Sequence, residues 1–333
     1  MRAIRIEEPG SYHLVDVPEP DPGPGELVIA VRACGICGTD LHILAGEFPP
    51  TPYPIIPGHE AAGVVAKVGA GVTGHREGDR VAIDPSLFCG ACEYCRINRG
   101  NLCTAWGAIG DTVDGAFAEF VRVPAANAYV IPDSMPFPTA ALIEPVSCAV
   151  HALDRLGSVF GQELLILGAG TMGLILAQLL DGAGASSVSI VDINEDRVER
   201  ARSFGCEAAS EITGLRGGSG AGFDSVIEAT GTSRAAETAV NAVRRGGTMM
   251  VFGVAPAGET IPIEPFRIYN EEITIIGSMA VLASYGRAVA AVADGFVDAE
   301  RMVTGVFGLS EFSEALDVVR SGTGIKTQID PTL

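Results

Sequence analysis

The chain has 333 residues, 47% of them hydrophobic, and a formal net charge of −19. That length suits about two domains with large cores, and so acidic a balance opposes binding to nucleic acid or anionic membranes. No apolar run approaches the ~20 residues that span a bilayer, and no charged segment followed by an apolar one opens the chain, so a soluble cytoplasmic protein is expected.

Residues 1–149 carry short β-type runs: ELVIAVRAC, AAGVVAKVG, DRVAID and AFAEFVRV. Gly, Pro and Asp separate them, as in an antiparallel, barrel-like sheet. Within this stretch Cys37 and His59 form a candidate metal pair. Cys34 with Cys37 spells C-x-x-C, but Cys34 ends an apolar run, so it is read as structural, as is Cys206. Next comes CGACEYCRINRGNLC, which places Cys89, Cys92, Cys95 and Cys103 in one short loop. Four thiolates so spaced predict a closed tetrahedral zinc site that stabilises the fold. An iron–sulfur cluster is the nearest competitor, and disulfides would need an oxidising compartment.

From residue 150 strand and helix patterns alternate: LLILG, LILAQLL, SVSIVD, RVERARSFG, SVIEATG, AAETAVNAVRR, TMMVFG and ITIIGS. Alternation of this kind predicts a parallel, doubly wound sheet. LLILGAGTMG holds Gly168, Gly170 and Gly173 between an apolar strand and an apolar helix, with Thr171 and Met172 inside the turn. Gly168 permits the tight turn, Gly170 lets backbone approach a pyrophosphate, and Gly173 lets helix and strand pack closely. Asp192 ends the next strand, where a carboxylate can bind the adenosine ribose hydroxyls. It would repel a 2′-phosphate, so NAD is expected over NADP; Arg197 sits five residues on, at the edge of the adenine pocket. The last stretch has a helical segment, SEFSEALDVVRSG, and a closing strand, GIKTQID.

Together these motifs identify a resemblance. GICGTDLHI, PGHEAAGVVAKVGAGV, GDRVAI, the four-cysteine lobe, EPVSCAVHAL and GAGTMG occur in the order found in the zinc-containing medium-chain dehydrogenase/reductases. The resemblance covers nearly the whole chain. It implies an α/β protein: a GroES-like antiparallel catalytic domain over 1–149 and 284–333, with the structural zinc lobe at about 86–105, and a Rossmann NAD-binding domain over 150–283. Two zinc ions per subunit are implied, one structural and one catalytic. Cys37 and His59 match the first two catalytic ligands. The third position holds Glu144 rather than a second cysteine, which is similar to sorbitol and other polyol dehydrogenases. Glu60, next to His59, can share or exchange that place. Cys37 thiolate, neutral His59 and ionised Glu144 sum to −2 and balance Zn²⁺. Cys148 and His151 in the same segment are read as packing residues of a helix.

The resemblance also implies a proton path from Thr39, at the substrate oxygen, to His42. It assigns Thr230, Val254 and Ser278 to the cofactor surface, and Phe48, Tyr53, Phe117 and Met279 to the pocket. A polar metal end and few aromatic residues favour a polyol over a bulky aromatic alcohol. Simple alcohol or butanediol dehydrogenases and L-threonine dehydrogenase are the neighbouring alternatives. A non-catalytic zinc-ribbon scaffold is disfavoured by the complete glycine fingerprint. A homo-oligomer is expected, a tetramer before a dimer.

Overall fold

The computed structural model describes residues 1–48, 51–213, 215 and 222–333. The chain divides into two compact units, Met1–Ser147 with Val281–Leu333, and Cys148–Ala280.

In the first unit the strands run in the order Val303–Phe307, Lys326–Ile329, Glu26–Gly35, Glu60–Val68, Arg80–Ile83, Ala128–Val130, and Phe120–Pro124 also pairs with Glu26–Gly35. All but the first of these pairings are antiparallel. Period-2 alternation sends Leu27, Ile29 and Val31 into a core shared with Val65, Val81, Ile83 and Val121. Burial of such aliphatic surface is the main stabilising term. The chain's end is part of that core, through Leu309, Phe312, Leu316 and Ile329. Close crossing of the two longest strands requires Gly63, where a Cβ would lie 2.1 Å from the Ala30 carbonyl oxygen.

The second unit is a six-stranded parallel sheet. Its spatial order is Glu207–Ala209, Ser187–Val191, Glu163–Leu167, Phe223–Glu228, Val243–Val251, Thr274–Gly277. Counted along the chain, that is 3-2-1-4-5-6, the doubly wound order expected of a dinucleotide-binding sheet. The strand Glu163–Leu167 is apolar and buried from Leu164 onward, as expected where helices cover both faces of a parallel sheet. The helix Thr171–Gly182 buries Leu174, Ile175, Leu176, Leu179 and Leu180. It starts where the chain leaves the central strand at the point of order reversal, which is where such sheets bind ligands.

Gly173 is the tightest position in this turn: a Cβ there would lie 1.9 Å from the Gly168 carbonyl oxygen, whereas one at Gly170 meets nothing within 4 Å. Gly173→Ala is therefore expected to cost about 1–3 kcal/mol through overpacking, and Gly170→Ala to leave stability nearly unchanged. Urea unfolding midpoints of the two variants check the contrast.

Candidate active site and metal centres

Two neighbouring strands deliver the first cluster. Cys37 follows the strand Glu26–Gly35 and is the N-cap of the helix Gly38–Ala45, and its N–H donates to Asp40 Oδ2 at 2.7 Å. Glu60 opens the partner strand and pairs with Gly35, with His59 immediately before it. Cys37, His59 and Glu60 thereby offer ligand atoms all within 4.8 Å of one another. The other oxygen of Asp40 lies 3.6 Å from His59 Nδ1, so one buried carboxylate accepts from the Cys37 N–H and faces the histidine ring. Burial disfavours a charged His59 ring, but the negative field of Asp40, reinforced by Cys37, outweighs it and raises the ring well above its ordinary pKa. A metal arriving at His59 takes the place of that proton.

Lys326, the first residue of the strand Lys326–Ile329, reaches the same cluster. Its Nζ donates to Glu60 Oε1 at 2.6 Å and to the Ile36 carbonyl oxygen at 3.0 Å, and also contacts Glu60 Oε2. Both side chains are almost fully buried, 5% and 2% exposed. Burial opposes the charge of Lys326, but Glu60, then Cys37 and Glu144, hold its pKa above the usual value. Gly35 makes this packing possible, since a Cβ there would overlap Glu60 Oε2 at 2.0 Å.

Glu144 lies in the first turn of the helix Ile143–Leu156 and is buried. Its charge acts on Lys326 together with those of Glu60 and Cys37. Thr39 Oγ1 is 3.8 Å from Cys37 Sγ. His42, one turn further along that helix, is 38% exposed and meets Glu47 Oε2 through Nδ1 at 2.8 Å.

The second cluster is the four-cysteine loop. Cys89, Cys92, Cys95 and Cys103 also place their sulfurs within 4.8 Å of one another. All eight cysteines are free thiols. Backbone N–H groups point at the sulfurs: Ala91 and Cys92 donate to Cys89 at 3.4 and 3.3 Å, and Cys89 and Ala105 to Cys103, each at 3.4 Å. Such bonds pull Cys92 down to about 6, the N–H of Cys95 contributing most. Desolvation and its neighbours push Cys95 up to about 12. Four crowded thiols resist ionising together until a cation joins them.

In the second unit, Gly168 has φ +110, a conformation that favours glycine. Asp192 is locked beside it: Oδ2 accepts from Ala169 N at 2.8 Å and Oδ1 from Asn194 N at 2.9 Å, while Arg197 Nη1 stands 3.7 Å away. Thr230, Val254 and Met279 are exposed, and Ser278 is half-buried. Thr171 and Met172 open the helix that follows the glycine turn.

Among the expected pocket residues, Phe117 exposes no surface and packs edge-to-face on Phe312, ring centroids 5.2 Å apart. Tyr53 donates to the Ile43 carbonyl oxygen, and both it and Phe48 pack partly buried against the core. Buried His151 and half-buried Cys148 lie on the helix Ile143–Leu156. Cys34 and Cys206 both have pKa values raised by burial, Cys206 to about 11.

Two site residues carry no distinctive motif. Asp40 has a usable signal, its position three residues after the N-cap, as in a capping box. Lys326 has none, because a single lysine in a short strand ordinarily reads as an edge charge.

A thiolate, an imidazole and a carboxylate converging in a largely buried site form a donor set that fits zinc, and so does the four-thiolate loop. The open space at Gly170 beside a helix N-terminus fits a pyrophosphate.

Comparison with known proteins agrees with this architecture. Residues 23–133 match the alcohol dehydrogenase GroES-like domain, and residues 171–294 the zinc-binding dehydrogenase domain. The chain is 36% identical to D-arabinitol dehydrogenase 1 of Uromyces fabae, covering 99% of this chain and 97% of that one. It is 37% identical to D-altritol 5-dehydrogenase of Agrobacterium fabrum, covering 93% and 94%. It is also 36% identical to an L-threonine 3-dehydrogenase of Streptomyces avermitilis, over the full length of both. A zinc-binding dehydrogenase of Sinorhizobium meliloti, solved bound to NADP, superposes with a TM-score of 0.93 at 35% identity over 99% of each chain. The chain belongs to the zinc-dependent medium-chain dehydrogenase/reductases, oxidoreductases in whose polyol-dehydrogenase branch it falls.

Two predictions concern these clusters. Cys92→Ser is expected to lower zinc content by about one ion per chain and to lower the melting temperature, while the folded fraction keeps its substrate preference; metal analysis and rate ratios check this. Lys326→Met strands a buried carboxylate and is expected to cost about 3–5 kcal/mol. Adding Glu60→Gln to that variant should recover part of the loss, which a double-mutant cycle in urea measures.

Proposed function

We propose that the protein oxidises a secondary hydroxyl of an uncharged polyol to a ketone, reversibly, with NAD as hydride acceptor. The observation that carries this is the convergence of Cys37, His59 and Glu60 within 4.8 Å in the antiparallel unit. Cys37 and His59 would hold a catalytic zinc, completed by Glu60 or Glu144, and Cys89, Cys92, Cys95 and Cys103 a structural one. When bound, zinc supplies Lewis-acid activation of a hydroxyl, and nicotinamide supplies the hydride acceptor.

The chain's own part is positioning and proton transfer. Thr39, beside Cys37, accepts the hydroxyl proton's hydrogen bond. His42, one turn along and open to water, passes the proton out. Gly168, Gly170 and Gly173, with Thr171 and Met172, cradle the pyrophosphate, and Asp192 takes the adenosine ribose. Thr230, Val254 and Ser278 would face the other half of the cofactor, and Met279 the substrate pocket. Two bonds from backbone N–H groups fix the Asp192 carboxyl in place, which favours NAD over NADP. The names of the D-arabinitol and D-altritol enzymes support the polyol class. The similarity to an L-threonine 3-dehydrogenase supports threonine as the second reading.

Initial rates with pentitols, hexitols, 2,3-butanediol, ethanol and L-threonine, each with NAD and with NADP, test the proposal. The highest kcat/KM is expected for a pentitol or hexitol with NAD. Preference for threonine would replace the substrate class, and preference for NADP would overturn the role of Asp192. Glu60→Ala and Glu144→Ala should each lower activity, with loss of the catalytic zinc in whichever holds it more tightly.

A further inference from the structure

Glu228 is a buried carboxylate, 1% exposed, that the chemistry above does not use. It ends the strand Phe223–Glu228, level with Leu167 on one side and Val251 on the other. It therefore stands at the carboxyl edge of the parallel sheet, where dinucleotides bind.

Its bonds run into two separate loops. Oε1 accepts from Thr230 N at 2.6 Å, from Thr230 Oγ1 at 2.5 Å and from Gly231 N at 2.9 Å. Its carbonyl oxygen accepts from Phe252 N at 3.0 Å and Gly253 N at 2.8 Å. These loops touch each other: a Cβ at Gly253 would lie 2.2 Å from Gly231 N, and one at Gly231 would lie 2.5 Å from the Val254 carbonyl oxygen. Thr230 also borders the glycine turn, since a Cβ at Gly168 would meet Thr230 Cγ2 at 2.9 Å. From Thr230 the network continues to Thr232, hydroxyl to hydroxyl at 2.9 Å, and Thr232 caps the helix Ser233–Ala242.

The sheet order says which part of the cofactor this wall faces. Asp192 marks the adenosine side, immediately after the strand Ser187–Val191 that flanks one side of the central strand Glu163–Leu167. Phe223–Glu228 flanks the other side, so a dinucleotide with its pyrophosphate at Gly168–Gly173 extends its second nucleoside toward the loops at Thr230 and Val254. We propose that Glu228 is a positioning residue for the nicotinamide half of the cofactor, its side chain holding the Thr230–Gly231 loop that packs against Gly253 and Val254 to form the wall, while the adenosine half binds independently of it. This rests on the dinucleotide assignment above.

The test compares two probes on the purified protein by calorimetry: NADH, which spans both halves, and ADP, which carries only the adenosine and pyrophosphate portions. In Glu228→Gln the charge is gone and the amide oxygen has lone pairs for two of the three donors. Its Kd for NADH is expected to rise roughly three- to tenfold, the scale of one weakened charged hydrogen bond, with the Kd for ADP within about twofold of wild type. Glu228→Ala should extend the NADH loss beyond tenfold with the same insensitivity to ADP. Unchanged NADH affinity in Glu228→Gln, or parallel weakening of NADH and ADP, would overturn the proposal. A wild-type protein that binds ADP but not NADH would defeat the cofactor assignment itself, and the role of Glu228 would fall with it.

Discussion

The ammonium of Lys326 against the carboxylate of Glu60 is the constraint around which the first unit is arranged. Two charges withdrawn from water are tolerated only when each meets the other and the remaining hydrogen bonds are satisfied. Lys326 meets that condition by adding the Ile36 carbonyl oxygen. The cost of the arrangement appears elsewhere: Gly35 must lack a side chain, and the strand Lys326–Ile329 must lie beside Glu26–Gly35. In return, a carboxylate is held at the edge of the Cys37–His59 pair with a positive charge on its far side. That charge offsets part of the negative potential of Cys37, Asp40, Glu60 and Glu144, so the cluster attracts a cation without concentrating four acidic groups unopposed.

The two metal-capable clusters solve different problems with similar ligands. The four-cysteine loop is local, and its sulfurs are oriented mainly by the N–H groups of its own backbone. The Cys37–His59–Glu60 cluster draws on two strands and a helix start, with Asp40 touching both the cysteine and the histidine environment. A site stabilised by its own loop suits a structural ion. One braced by the sheet suits an ion that must hold its geometry while substrate comes and goes.

What was legible in the sequence was whatever chemistry had been written into short spacings. The cysteine run, the glycine turn with Asp192 downstream, and the alternation of strand and helix patterns predicted the antiparallel and parallel sheets, because each signal is local. Cys37, His59 and Glu60 were nameable from their motifs, and the structure brings them together. Lys326 escaped because its meaning depends on a partner 266 residues earlier, which no window along the chain contains. Phe117 shows the opposite difficulty: an aromatic near the catalytic motifs reads as a pocket wall, yet its contact with Phe312 commits it to the core. Between Glu144 and Glu60, only side-chain placement separates the two carboxylates, and spacing carries no information about that.

The return of the chain's end to the first sheet also imposes an order on synthesis. The cysteine loop spans 15 residues from Cys89 to Cys103, so its four thiols are all present as soon as it leaves the ribosome. The parallel sheet is contiguous and can form next as a unit. The strand that carries Lys326 is made 266 residues after Glu60, and until then Glu60 has no ammonium beside it and its sheet lacks two strands. A nascent chain therefore holds all four cysteines of the loop long before the Cys37–His59–Glu60 cluster has its full surroundings. Termination before that strand would leave an unfinished sheet edge open to other chains.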